Sequence, residues 1–374
     1  MRYLAISAVV LFWFAVSVGA QVNAGKYVNF DAPGAMTSVP AGAYVVGTEV
    51  SDMNNQGQVI GTYSSNSSIK RRGFVRDAQG IVHLLDDPSA GIPSSDGPKS
   101  LAITLLHAIN DAGTIVGMSL DPIGRSTAFI RRIDGTFQDF QCQPGYPASA
   151  ESINNEGVIF GGCGTGSRWN AMIRKPDGTF VTFSAPDSSA AQPWFGTYAT
   201  SINNLGLSTG SYYDSISNVH AFVRAANGAI TEFSAPGAGT NAFVGTWPMR
   251  IFDSGAILGF YADDNWNQYT FIRLPDGTFL PVGVPPASGF KGVIVEDIDW
   301  WGDLIGTYTD ANGAYHAFYR TRAGVSYIFS DPAAGIGAGQ GTVAVRMNAW
   351  GDVAGNYIDA NNLYHGFVWK PFAK

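Results

Sequence analysis

Five histidines, two cysteines and a sparse set of charged residues hold what chemistry this chain can offer, and most of them recur in phase. Three histidines open one tripeptide, at His220-Ala221-Phe222, His316-Ala317-Phe318 and His365-Gly366-Phe367. Imidazoles at matched positions invite a metal site, which needs nitrogens converging on one ion at about 2.0–2.1 Å. Equivalent strands of a repeat fan apart, so these rings are expected to pack and hydrogen-bond instead. His83 and His107 stand outside this column. The turns Asp310-Ala311-Asn312-Gly313 and Asp359-Ala360-Asn361-Asn362 resemble fragments of calcium loops but lack the later glutamate. Asp and Asn also close tight turns through their own backbone bonds, and that reading is preferred. No metal and no cofactor is expected.

A second constellation is ionic, and a recurring phrase places it. Seven times the chain repeats an apolar residue, Asn or Asp, two variable residues and Gly, then a strand that often ends Gly-x-Tyr. The copies begin at Met53, Ile109, Ile153, Ile202, Ile251, Ile298 and Met347; in the fifth, Phe252 stands before Asp253. Just before the apolar position stand Asp52, Ala108, Ser152, Ser201, Arg250, Asp297 and Arg346. One residue earlier are Ser51, His107, Glu151, Thr200, Met249, Glu296 and Val345. If these strands line an axis, four successive copies alternate Arg250, Asp297, Arg346, Asp52. Such charges form either acid/base pairs for a channel enzyme or a belt of mutually satisfied ion pairs. Alternating signs favour the belt. The enzyme alternative is a glycosidase or polysaccharide lyase using His107, Glu151, Glu296 or Arg250.

Aromatic residues form a third set. The connections 87–105, 143–150, 186–198 and 236–247 are long and unlike one another, and contribute Tyr146, Trp194, Phe195 and Trp247; a shorter turn adds Trp266. Loops on a rigid scaffold are where binding usually resides, and Trp and Tyr offer flat apolar faces with a polar edge. Trp300, Trp301 and Trp350 would form a second patch on the opposite face. Burial between repeats is the competing role for all of them. No nucleophile elbow, phosphate loop, zinc-ligand cluster or dinucleotide fingerprint appears.

The elements that must position these groups follow from the period. The repeat is about fifty residues long and holds only short strands and turns, which marks a radial or stacked β-array. In the fourth copy 198–203 alternates as a strand, 207–213 returns, 220–224 is a third strand and 230–233 a fourth. Asn-Gly and Asp-Gly pairs (Asp134-Gly135, Asp177-Gly178, Asn227-Gly228, Asp276-Gly277) supply hairpin turns between alternating apolar runs. The expected fold is all-β: a seven-bladed β-propeller of four-stranded antiparallel blades. The competing arrangement is a sandwich or two-domain use of the same hairpins. Tyr27-Val28-Asn29-Phe30-Asp31-Ala32-Pro33 repeats the fourth-strand phrase Phe233-Ser234-Ala235-Pro236 with no blade of its own. The seventh copy stops after its third strand. The N-terminal strand is therefore expected to complete the last blade.

Residues 1–20 read as a secretory signal peptide, with Arg2, an apolar run from Leu4 to Val18 and small residues before Gln21. An uncleaved anchor is the alternative. Residues 21–374 then form one propeller domain, secreted or periplasmic, and a monomer is expected. No second apolar stretch is long enough to span a bilayer. The formal net charge is −7, and loss of Arg2 makes it one unit more acidic. Only 14% of residues are charged and no basic stripe exists, which excludes nucleic acid as a partner.

The His-Ala-Phe tripeptides, each following an Asn-x-x-Gly phrase, make the chain resemble the extracellular HAF-repeat family over essentially all of 21–374. The tripeptide is altered at Arg72-Gly73-Phe74, Thr127-Ala128-Phe129, Asn170-Ala171-Met172 and Tyr269-Thr270-Phe271. The resemblance implies a secreted bacterial repeat protein and brings no established activity.

Cys142 and Cys163 depart from two repeat columns in neighbouring blades: Ala32, Ala185 and Ala235 for the first, the Gly-x-Tyr tyrosines for the second. Both should end on one face at similar height, so a disulfide is expected in an oxidising compartment. Two independent small apolar fillings are the alternative. The functional expectation is a binding or scaffolding module for polysaccharide or envelope glycan. Its candidate ligand contacts are Tyr146, Trp194, Phe195, Trp247, Trp266, Arg250 and His107.

Overall fold

The computed structural model describes residues 25–40, 46–65, 68–90, 103–121, 124–166, 168–189, 195–282, 291–299 and 301–371. Residues 1–20, read above as a signal peptide, and Trp194 and Trp300 lie outside the described residues. Among the described residues, strands β1–β28 follow one another with one short helical turn, at Pro88–Ala90. β1 is Gly25–Phe30. Blade one takes β2 (Thr48–Met53), β3 (Val59–Ser65), β4 (Ser68–Arg76) and β5 (Val82–Leu85). Blades two to six take β6–β9 (103–140), β10–β13 (148–183), β14–β17 (197–233), β18–β21 (245–281) and β22–β25 (291–329). Blade seven takes β26 (Gly341–Met347), β27 (Val353–Ile358) and β28 (Tyr364–Pro371). Each blade is an antiparallel meander, giving the seven-bladed propeller expected from the period.

β1 closes the ring. It pairs antiparallel with β28, with Tyr27 opposite Trp369 and Phe30 opposite Gly366. The phrase implies pairing of Tyr27 to Asp31 with the strand around Gly366 to Trp369; the ladder instead starts two residues earlier, at Gly25, and ends at Phe30, before Asp31. The Asp31 carboxylate instead lies 3.0 Å from His365 Nδ1. Tyr27 packs against Phe329 and Phe367, carrying the blade-seven core onto blade six.

The repeated phrases turn out to be joints between blades. The Asn side chain of one copy donates to the backbone carbonyl of the same position in the next: Asn54 to Asn110 (3.0 Å), Asn110 to Asn154 (3.1 Å), Asn154 to Asn203 (3.0 Å) and Asn203 to Phe252 (2.8 Å). Its Oδ1 meanwhile closes its own turn, as Asn54 does on the amides of Gln56 and Gln58. A buried threonine opening the inner strand accepts from the amide that follows the previous blade's outer strand. Thr48, Thr104, Thr197, Thr246 and Thr342 do so for Ala32, Asp87, Ala185, Ala235 and Asp331, at 2.8–3.1 Å.

Blade three has Ala148 at that threonine position, and its strand partner is Cys163. There the joint is covalent: Cys142 and Cys163 form a disulfide with Cα atoms 6.2 Å apart. The expected bridge is therefore present, and it replaces a hydrogen bond the neighbouring blades make. Arginines ending the third strands lie over outer-strand phenylalanines of the preceding blade. Arg76 covers Phe30, Arg174 covers Phe140, Arg224 covers Phe183 and Arg273 covers Phe233, at 4.6–5.3 Å. Blade seven has Trp369 there, stacked on Phe329 at 4.5 Å. At the junctions of blades four and five, and six and seven, Val219 pairs with Gly245 and Tyr315 with Gly341. Both glycines have positive φ (137° and 121°), and a Cβ would strike the facing carbonyl oxygen.

The tripeptide histidines are structural, as expected. His220, His316 and His365 stack on Tyr212, Tyr308 and Tyr357 at 4.6–5.2 Å. Their Nε2 atoms face the turn aspartates Asp214, Asp310 and Asp359 at 3.2, 3.3 and 3.7 Å. The Asp310 and Asp359 turns are held by Oδ1 accepting two amides each, the turn role preferred over calcium.

Two outcomes are expected. The hydrogen bond to Asp31, aided by Asp359 and outweighing burial, holds the His365 pKa above its ordinary value. That contribution to stability is complete below about pH 6.5 and is lost as pH rises through the folded-state value. Urea unfolding at about pH 6 and about pH 8.5 should show a smaller loss in Asp31→Asn than in the parent; an equal loss would remove His365 from the closure. Cys142→Ala with Cys163→Ala should lower unfolding stability by about 3 kcal/mol, and the unreduced, denatured parent should titrate with no free thiol.

Candidate functional site

Each inner strand carries a β-bulge one residue before the ionic column. Pairing skips from Val50 to Asp52, Leu106 to Ala108, Ala150 to Ser152, Ala199 to Ser201, Pro248 to Arg250, Val295 to Asp297 and Ala344 to Arg346. The unpaired residues are those of the second axial ring, Ser51, His107, Glu151, Thr200, Met249, Glu296 and Val345. A bulge re-aims its side chain, and all seven stay half-buried.

The ionic column forms the belt that its alternation implies. Arg250 meets Asp297, Arg346 Nε donates to Asp52 Oδ1 at 2.6 Å, and Arg346 reaches Asp297 at 4.0 Å. Asp297 is fully buried. The two aspartates also bind backbone: Asp52 accepts from Ile109 (3.0 Å) and Asp297 from Met347 (3.0 Å), each in the next blade. Ser152 and Ser201 do the same for Ile202 and Ile251. Burial alone would lower the Arg346 pKa, but Asp52 and Asp297 outweigh it and the net shift is upward.

His107 pairs across blades two and three. Its Nδ1 donates to the Ala150 carbonyl at 2.9 Å and lies 3.1 Å from Glu151 Oε2. Burial opposes the charge on both partners, yet their attraction prevails: His107 is raised and Glu151 lowered. Glu296 is the exception. Burial pushes it up to about 7, against the pull of Arg346 and with the help of Asp297.

The loop face presents a different chemistry on blades four and five. The connection 234–244 is tied to the turn of blade four, where Phe243 N donates to Ser217 O at 2.7 Å. Asn218 Nδ2 lies within 3.0 Å of the carbonyls of Gly239, Asn241 and Val244. The same connection is tied to the turn of blade five, where Thr240 and Asn241 donate to Asp264 Oδ1 at 2.7 and 3.0 Å. This strap and its two turns expose Ile216 (62%), Phe243 (52%) and Trp266 (60%). Phe195 stacks on Tyr213 at 4.8 Å, and both rings lie 6.4 Å from Phe243.

Backbone strain is concentrated in the same place. Four non-glycine residues among those described have positive φ, and three are Ser217 (70°), Phe243 (63°) and Trp266 (64°). At the turn position of Trp266, blades two and six use Gly124 and Gly313. A bulky side chain there is a conformational outlier costing about 1–3 kcal/mol.

The candidate aromatics are only partly gathered. Phe195 and Trp266 belong to this region. Trp247 is not a loop residue: it lies within β18, half-buried and stacked on Phe260 at 5.1 Å, because Gly245 already starts the strand. Tyr146 is exposed on the blade two–three connection. Arg250 and His107 sit on the inner strands of blades five and two, engaged by Asp297 and Glu151. Trp301 and Trp350 are exposed on the opposite face. Ile216 and Phe243 were missed; Phe243 has no repeat signal, and only a bulky residue out of phase in a Gly-rich connection marks it.

No family model matches the chain, and no curated protein sequence matches it. Among solved structures it is similar to the β-propeller domain of the Trilobed protease from Pyrococcus furiosus. The TM-score is 0.55 at 10% identity, covering 87% of this chain and 98% of that one. That propeller has an open velcro topology, whereas β1 closes this ring. A lectin, BP39L from Burkholderia pseudomallei, matches at TM-score 0.48 and 12% identity, over 85% of this chain and 98% of its own. TolB from Acinetobacter baumannii matches at 0.42 and 11%, over 86% and 79%. At such identities the likeness speaks for the fold alone.

Arg346→Ala should lower unfolding stability by about 3–5 kcal/mol, because Asp52 and Asp297 lose their shared cation while buried. Chemical denaturation checks this. An unchanged midpoint would show that the belt is not structural.

Proposed function

We propose that this chain is a secreted or periplasmic, monomeric binding module of the HAF-repeat type that takes polysaccharide or envelope glycan on its loop face. One observation carries the reading: Phe243, on the strap, and Trp266, on the blade-five turn to which the strap is hydrogen-bonded, are held exposed in strained backbone. Strain kept at an exposed aromatic does nothing for the core and suits a preformed contact. Flat rings beside backbone amides and Asn side chains match the apolar face and hydroxyl edge of a sugar ring. Export is supported by the Cys142–Cys163 bond, since cytosolic thiols are kept reduced.

A second reading, catalysis in the channel, has one observation in its favour. Glu296 at about 7 lies in the range of a general acid. Against it, Arg250, Arg346 and His107 are engaged by carboxylates.

Incubation with a glycan panel separates the readings. Retention without turnover, weakened by Trp266→Ala and untouched by Glu296→Gln, is the expected result. Turnover abolished by Glu296→Gln would replace the binder with an enzyme.

A further inference from the structure

The three segments that carry the exposed Ile216, Phe243 and Trp266 contain no lysine, arginine or histidine. They are 214–218, 236–244 and 262–268. An anionic ligand would find no cation there. The segments do hold three aspartates, and five of their six carboxylate oxygens are already engaged. Asp214 Oδ1 accepts from Ile216 and Asn218, and its Oδ2 faces His220. Asp263 Oδ1 accepts from Asn265 and Asn267, and its Oδ2 from the Asn267 amide and the Tyr269 hydroxyl. Asp264 Oδ1 accepts from Thr240 and Asn241. These carboxylates hold the strap and its turns in place; they keep their negative charge, so a cationic partner is the alternative that the test separates.

Resting on the glycan-binding reading above, we propose that the ligand of the blade four–five strap is an uncharged polysaccharide, stacked on Trp266 and Phe243. The contact is apolar ring on sugar face, with hydroxyls served by the Asn side chains of the strap and its turns. Recognition of this kind has no long-range electrostatic component, so it is insensitive to salt, unlike binding of a charged polymer.

The test is affinity electrophoresis of the full chain in gels containing galactomannan, xylan or hydroxyethylcellulose, against alginate and polygalacturonate, with a lysine-rich peptide as a separate titrant. Retardation by at least one neutral polymer, unchanged by about 0.5 M NaCl, is expected. Trp266→Ala and Phe243→Ala should each weaken it about tenfold. Trp266→Gly, which suits the turn backbone, controls for misfolding: it should melt no lower than the parent yet bind as poorly as Trp266→Ala. Retention only on the anionic polymers, or only of the peptide, lost in salt, overturns the uncharged-ligand assignment. The anionic outcome leaves the glycan-binding reading standing; the peptide outcome removes it. No retention on any polymer overturns both.

Discussion

A propeller blade has two apolar faces and only its neighbours to cover them, so every blade depends on the ring being closed. Here closure rests on one strand, β1, laid against β28 with Tyr27 reaching the core of blade six. Without it, blade seven would expose an unpaired edge and blade one would lose the flank on which Arg76 covers Phe30. The remaining joints are repeats of a few local devices: an Asn amide passed to the next blade, a threonine hydroxyl capping the previous one, an arginine over a phenylalanine. Each contributes little alone. Their number makes the ring a single cooperative object, and their exceptions are replaced in kind, by a disulfide at blade three and by Trp369 at blade seven.

The same economy explains the axis. Inner strands bring seven copies of one position together, so any charge placed there meets its counterparts from other blades. Arg250, Asp297, Arg346 and Asp52 neutralise one another, and the two aspartates also bind amides of the following blade. A buried charge with two obligations is a poor candidate for chemistry, because reaction would leave a neighbour unpaired. The loop face is under no such constraint. Its connections are free of the repeat, and one of them, with the turn it is bonded to, holds Phe243 and Trp266 exposed in positive-φ backbone.

The repeat phrases, the hairpin turns, the blade count, the orphan N-terminal strand and the paired cysteines were legible in the sequence. Each rests on a local backbone requirement or on a departure from an internal pattern, and both are visible in one dimension. The alternation of Arg and Asp also announced the belt, once the copies were set side by side. The tertiary structure alone decided what the recurring residues touch. The Asn of Asn-x-x-Gly passes as a turn former, yet its amide serves the next blade. A threonine at the head of a strand gives no sign that it caps a neighbour's amide. The strap site was hidden for the same reason. Trp247 and Phe195 look alike in the sequence, and Trp266 sits in an ordinary turn. Where β18 begins puts Trp247 inside a strand, and the hydrogen bonds from 234–244 to two neighbouring turns put Phe243 beside the turn of Trp266; strand register and backbone strain of this kind arise when blades pack rather than when strands form.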